Sequence, residues 1–158
     1  MGARPELGLE VKYHQKSLKD NKPSSGLESM EFQVTLFDQL NDRQQDRMLR
    51  ATLEKIDDMQ TTLKDLIEAW KKGDVKTMDQ LLNKEFKEDP KLKDLLIDKR
   101  NQSWIPQIEK AFLGRENVLF IVGAGHLVGK GSVIDLLEQR GYVPIQMTAT
   151  VAEPVLVE

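Results

Sequence analysis

An apolar, β-branched run that ends in a glycine loop is the feature that most constrains the fold. Residues 118–122 have the composition of a strand that is buried on both faces. A glycine-rich stretch follows at 123–129, and residues 132–140 then carry apolar side chains at helical spacing. The glycines are therefore predicted to lie in a strand-to-helix loop. Because such loops lie at the carboxyl ends of strands, where open α/β sheets bind ligands, we expect His126 to lie in a binding site.

The spacing of the glycines leaves several interpretations of this loop. It does not match a P-loop, because Lys130 is followed by glycine and not by serine or threonine. Gly123, Gly125 and Gly129 fit a dinucleotide-binding pattern, although the next predicted strand offers no acidic residue for a ribose. In a third interpretation, Gly-x-x-His makes a sharp turn and presents His126 for metal ligation or proton transfer. A hydrogen-bonded structural histidine is the simplest alternative.

The strand pattern predicts an α/β fold, with α+β as the alternative. The sheet is expected to be small and mainly parallel, with two to four strands at 25–28, 118–122, 142–147 and, as a fourth, 151–157. A strand-loop-helix-strand unit at about 117–147 would hold the site. Because so small a sheet with open edges is marginal, we expect another chain or a second copy to complete it, unless this is an excised domain.

A large helical insertion is predicted within this single domain, at about residues 29–113. Its main feature is one long amphipathic helix after Asp42 that ends before Gly73, since apolar residues recur there every three to four positions. Such a helix either projects or pairs with another helix. Ser29 and Asp74 are predicted to cap the helices that follow them, and residues 9–19 form a further short helix.

The order of several short motifs resembles one protein family. The glycine loop with His126, followed by a helix and Arg140-Gly141-Tyr142, is similar to the carboxyl-terminal signature of the TraB/GumN family, which includes the Tiki metalloproteases. Further upstream motifs occur in the same order as in that family: Lys22-Pro23, Gly26-Leu27-Glu28, Ala69-Trp70, Gly73-Asp74, Arg100-Asn101 and Trp104. The resemblance spans nearly the whole chain. That family typically carries two Gly-x-x-His motifs, whereas this chain has one and so resembles the later portion.

The resemblance implies a divalent-metal-dependent hydrolase that acts on peptide bonds. Glu28, Arg100 and His126 would be the site positions, with Glu28 and His126 as ligands of Mn, Co or Zn and Arg100 polarising the substrate. Because half of the expected site is missing, we expect this chain alone to be inactive or incomplete. The alternative is a non-catalytic interaction module, or a self-associating domain, that uses its helical arm. From the residues alone, Glu28 could instead stabilise a helix dipole, and Arg100 could form a surface ion pair.

Composition excludes some classes of partner. The net charge of −3 comes from interleaved acidic and basic residues, so there is no basic patch for nucleic acid or anionic lipid. No apolar run approaches the roughly 20 residues that a membrane span needs, and no signal peptide is visible. The absence of cysteine excludes disulfides and thiolate metal sites. The compartment stays open, although members of the family are often exported or membrane-associated.

Overall fold

All regular secondary structure is helical in the part of the chain that the computed structural model describes, residues 4–84, 86 and 89–147. The α-helices are α1 (Leu9–Lys19), α2 (Met30–Asp38), α3 (Asp42–Glu54), α4 (Met59–Lys72), α5 (Val75–Asn83), α6 (Pro90–Lys93), α7 (Lys99–Phe112) and α8 (Val133–Glu138). Two short 3₁₀ turns lie at Pro5–Leu7 and Ala124–His126. One π-helical turn, Asp94–Asp98, joins α6 to α7.

The predicted α/β fold is wrong for these residues, since neither a parallel sheet nor an α+β arrangement is present. The segments 25–28, 118–122 and 142–147 lie outside regular secondary structure, and no backbone ladder joins them within the described chain. A strand is stable only when a neighbouring strand satisfies its N–H and C=O groups, and these segments find no such neighbour. The fourth predicted strand, 151–157, lies outside the described residues.

The apolar side chains of the two later segments still show why they resemble strands. Phe120 and Val122 pack against the helical core, whereas Leu119 is 65% exposed. In the last segment Val143 and Ile145 are 84% and 79% exposed. Residues 118–122 therefore have the composition of a strand that is buried on both faces, but the described residues bury one face of this segment at most.

Local signals set several helix ends as predicted. α1 occupies the predicted range 9–19. The Ser29 side chain accepts a hydrogen bond from the Phe32 N–H at the start of α2, and Asp74 accepts one from Thr77 N–H at the start of α5. Gly73 ends α4 in the left-handed conformation (φ 67°), which favours glycine. These caps depend only on neighbouring residues, which is why the sequence reveals them.

The prediction of one long helix between Asp42 and Gly73 is wrong. The structure has two helices there, α3 and α4, separated by a turn at residues 55–58. Two hydrogen bonds that span three residues, Ile56 N–H to Leu53 O and Asp58 N–H to Lys55 O, tighten this turn. Because apolar residues on both sides keep the same spacing, the periodicity continues across the break and does not reveal it.

Two hydrophobic clusters flank the glycine loop. The larger one joins α7 to α8 and consists of Trp104, Ile105, Ile108, Val133, Leu136 and Leu137. The smaller one joins α4 and α5 to the loop and consists of Ala69, Met78 and Val128. Leu27 packs on the first cluster and Ala124 on the second. The loop that carries His126 is thus held between α7 on one side and α4 and α5 on the other.

Within the described ranges no helix is both long enough and apolar enough to cross a bilayer.

Candidate functional site

The Gly-x-x-His motif forms a tight turn that directs its histidine inward. Hydrogen bonds from His126 N–H to Gly123 O (2.9 Å) and from Leu127 N–H to Ala124 O (3.0 Å) close the 3₁₀ turn. His126 is 7% exposed, which makes it one of the buried polar residues of the chain. The predicted sharp turn is therefore present, although the strand predicted to precede it is not.

The imidazole of His126 is held by two residues of α7. Its Nδ1 lies 2.7 Å from Oδ1 of Asn101, and its ring centroid lies 4.6 Å from that of Trp104 at an interplanar angle of 50°. Nε2 makes no hydrogen bond to any described residue, and no buried polar side-chain atom of that set lacks a partner. Nε2 of His126 must therefore reach solvent.

The environment keeps this imidazole neutral. Burial, together with the positive charge of Arg100, lowers the pKa of His126 from 6.5 to about 4, and the Glu28 carboxylate acts in the opposite direction. At neutral pH one ring nitrogen therefore carries a proton and the other has a free lone pair. A neutral imidazole is the form that accepts a proton or binds a metal.

Glu28 and Arg100 form a bidentate ion pair beside the histidine. Arg100 Nε donates to both carboxylate oxygens, at 3.0 Å to Oε1 and 3.2 Å to Oε2, and Nη2 also donates to Oε1. Trp104 Nε1 donates to Oε2 at 3.1 Å. The side chains of Arg100 and Glu28 are only 17% and 9% exposed. The structure thus brings Glu28 and Arg100 together as direct partners, and the role of Glu28 in a site stays a prediction.

The hydrogen bonds decide the charge of Glu28. Burial alone raises the pKa of this carboxyl, but the hydrogen bonds and charge of Arg100, with the Trp104 N–H, outweigh it and hold the pKa below its ordinary value. The carboxylate is therefore ionised at neutral pH, and both of its oxygens already accept hydrogen bonds.

Trp104 links the ion pair to the histidine. Its ring contacts the imidazole, while the Arg100 guanidinium carbon lies 5.2 Å from its centroid. Arg100 Nη1 also donates to Leu96 O at 3.0 Å, which fixes the guanidinium against its own helix. Residues 100, 101 and 104 of α7 therefore build most of the site.

Asn101 and Trp104 are the site residues that sequence reasoning did not assign. Asn101 is fully buried, and its Nδ2 donates to Gly131 O at 2.8 Å. The signal that could have identified them is spacing along α7, since Trp104 lies four residues after Arg100 and three after Asn101, the separations at which helical side chains meet. A polar residue between apolar ones on a core-facing helix is also a marker of a buried hydrogen bond.

Two glycines of the loop are required by backbone conformation and close packing. Gly129 and Gly131 have φ of 79° and 80°, where only glycine is unstrained. A Cβ atom at Gly129 would overlap the Asp79 carboxylate, and one at Gly131 would lie 2.8 Å from Asp98 Oδ1. A Cβ at Gly125, in contrast, would meet nothing within 4 Å. Cofactor binding by Gly123, Gly125 and Gly129 stays a prediction.

The donors present here do not fit a resident divalent metal by themselves. Among the described residues there is no group of three or more histidine, cysteine, aspartate and glutamate side chains that could hold one. His126 offers one nitrogen, and the Glu28 oxygens are engaged by Arg100 and Trp104. His14 lies in α1, where its Nδ1 is 3.2 Å from Ser24 Oγ. The assignment of Glu28 as a metal ligand stays a prediction that these contacts do not favour.

A family model decides the relationship of this chain to known proteins. The model of the TraB/PrgY/gumN family matches residues 1–145. The chain belongs to this family. The resemblance seen in the ordered motifs is thus confirmed, since the match includes the glycine loop and the residues of α7 that contact it. Neither the curated proteins nor the solved structures contain a significant match.

Proposed function

We propose that this TraB/PrgY/gumN-family chain contributes one reactive nitrogen, Nε2 of His126, to a hydrolytic site for peptide bonds. The observation that carries the proposal is the hydrogen bond between His126 Nδ1 and Asn101, which leaves Nε2 facing solvent within a buried setting. The neutral state of the ring supports the same role, because a protonated imidazole could not accept a proton.

Arg100 is the second group that we assign to this site. Its guanidinium lies beside the Trp104 ring that also contacts the imidazole, so it is close to any substrate that reaches Nε2. Glu28 fixes the guanidinium through a bidentate ion pair. The negative charge of Glu28 offsets the positive charge of Arg100. We therefore assign Arg100 to orienting a substrate carbonyl or carboxylate and Glu28 to holding Arg100 in place.

The site needs further groups to become active. A catalytic metal site usually has three protein ligands and a water molecule, and the described residues supply one free nitrogen. If Mn²⁺, Co²⁺ or Zn²⁺ takes part, its other ligands must come from beyond the described residues. The chain by itself is therefore proposed to be an incomplete hydrolase.

Peptide cleavage tests the proposed function. The purified chain would be incubated with a peptide mixture and Mn²⁺, Co²⁺ or Zn²⁺, and new termini would be detected by mass spectrometry. We expect cleavage to appear only when the missing groups are supplied by a partner fraction or by association at high concentration, and to be lost in His126→Gln. His14→Gln is the matched control, because it removes the exposed histidine of α1. Cleavage that survives in His126→Gln contradicts the proposal.

The second candidate function is that of an interaction module, which exposed apolar surface favours. On α2 and α3, Val34, Leu49 and Leu53 are 61%, 59% and 58% exposed. Leu119 and Ile145 are exposed on segments that lack a backbone partner within the described chain. We infer that a protein partner would cover these side chains where they lie together as an apolar patch. This function and the hydrolytic one are compatible, since the same contact could bring the missing groups to His126.

A further inference from the structure

Asn101 makes contacts that determine which ring nitrogen of His126 carries the proton. We infer that Asn101 is a positioning residue that holds His126 in the tautomer with the proton on Nδ1, so that Nε2 is the nitrogen with the free lone pair. This inference rests on the proposed function for its biological meaning. It can be tested without hydrolysis, because the tautomer is a property of the folded chain alone.

The orientation of the Asn101 amide follows from its two partners. Its nitrogen lies 2.8 Å from the Gly131 carbonyl oxygen and its oxygen lies 2.7 Å from His126 Nδ1. A carbonyl oxygen can only accept a hydrogen bond, so the NH₂ group must face Gly131. The amide oxygen must then face the imidazole. The reverse orientation would oppose two oxygen atoms at hydrogen-bond distance, within a fully buried residue.

The amide orientation in turn fixes the proton of the imidazole. Because the Asn101 oxygen only accepts, Nδ1 of His126 must donate, and a neutral ring that donates through Nδ1 leaves Nε2 unprotonated. The opposite tautomer would place the Nδ1 lone pair against the amide oxygen. The histidine is also pressed against the Trp104 ring, so it cannot rotate away without losing that contact.

The Asn101 side chain is held at both ends, by its own backbone in α7 and by the Gly131 carbonyl. The Gly131 carbonyl belongs to a residue with φ of 80°, a conformation that only glycine adopts without strain. A Cβ atom at this position would also meet Asp98. Gly131 N–H also donates to Asp135 Oδ2 at 2.7 Å, which ties the same residue to α8. Asn101 itself lies in α7, next to Arg100 and one turn before Ile105, which is fully buried. The side chain thus spans the gap between two fixed pieces of backbone.

Nitrogen NMR of the ring tests the inference directly. The histidine ring ¹⁵N shifts of the metal-free chain would be recorded well above the pKa of the ring, where the ring is neutral and protonated and unprotonated nitrogens differ clearly. We expect His126 in the wild-type chain to show a protonated Nδ1 and an unprotonated Nε2. Asn101→Leu, which has no acceptor for Nδ1, should lose this preference and populate both tautomers.

Two controls separate a positioning role from a structural one. Ile108→Ala removes a buried side chain from the same helix and should lower stability while leaving the His126 tautomer unchanged. His14, which is exposed, serves as an internal reference in every spectrum. A wild-type His126 with the proton on Nε2, or an Asn101→Leu chain that keeps the proton on Nδ1, would overturn the inference. Either result would leave the hydrolysis assay informative, since that assay compares His126→Gln with His14→Gln in chains that both keep Asn101.

Discussion

The residue that carries most of the account is a histidine that stays neutral beside an ion pair. His126 is buried, and among the described residues only its Nδ1 has a hydrogen-bond partner, while Glu28 and Arg100 neutralise each other beside the Trp104 ring that contacts the imidazole. Sequence alone could mark His126 because its turn is local. It could not show that Glu28 contacts Arg100 and Trp104, which lie 72 and 76 residues further along the chain. Only the family resemblance linked these distant positions before the structure did.

The lowered pKa of His126 predicts a loss of stability in mild acid. The unfolded histidine takes up a proton near pH 6.5, whereas the folded one resists protonation until about pH 4. The contribution of His126 to the free energy of unfolding is therefore complete above pH 6.5. It falls by up to about 3 kcal/mol as the pH is lowered to about 4. Urea unfolding of the metal-free chain across this range, compared with His126→Gln, measures the difference. Parallel pH profiles for both proteins would refute the burial of a neutral ring.

The ion pair predicts strong coupling between Glu28 and Arg100. Removing one partner leaves a mostly buried charge unpaired, so Glu28→Gln and Arg100→Met should each cost about 3 kcal/mol of unfolding free energy. The double variant should cost clearly less than the sum, with a coupling of at least about 1 kcal/mol. A double-mutant cycle by chemical denaturation provides the measurement. Additive effects would indicate that the pair contributes nothing as a unit.

At the scale of elements, local signals were sufficient for helix ends and insufficient for strands. Ser29, Gly73 and Asp74 act on backbone groups within one turn, so their roles can be predicted from neighbouring residues. The segments at 118–122 and 142–147 have strand composition, but a strand also needs a partner that the described residues do not supply. The turn between α3 and α4 was missed for a related reason, because apolar spacing continues across it.

The loop conformation predicts that alanine will cost much more stability at Gly129 than at Gly125. Gly129→Ala should destabilise the chain by about 1–3 kcal/mol, because φ at this position is 79° and the new methyl group would meet Asp79. Even if the Asp79 side chain moves, the backbone strain persists. Gly125→Ala is the matched control and should change stability by less than about 0.5 kcal/mol, since open space surrounds its Cβ position. Equal urea midpoints for the two variants would show that the loop conformation is not as described.

At the scale of the whole molecule, the described residues leave strand-like apolar segments uncovered. Val143, Ile145 and Met147 are 84%, 79% and 86% exposed at alternate positions. Alternate apolar residues on a segment without backbone partners are suited to adding a strand from another polypeptide. The need for a partner stays a prediction, and we propose the exposed side chains of this segment as the surface that would meet it.

This location predicts that a charge in the last segment will weaken self-association. Ile145→Lys should shift the chain towards monomer in a concentration series followed by sedimentation velocity, without changing helix content, because the side chain contributes little to the core. Leu18→Lys is the matched control, since Leu18 is 64% exposed and lies in α1. A wild-type chain that stays monomeric at high concentration, or equal effects of both variants, would argue against association through this segment.

Titration with Co²⁺ followed by NMR tests most directly whether Nε2 of His126 is the group that this chain contributes. We expect Co²⁺ to perturb the ring signals of His126 in the wild-type chain. The perturbation should be equal in Glu28→Gln, because Glu28 holds Arg100 and does not bind the ion. In His126→Gln the only remaining response should be that of His14. The account is contradicted if His126 is unaffected while His14 responds, or if Glu28→Gln abolishes the response of His126.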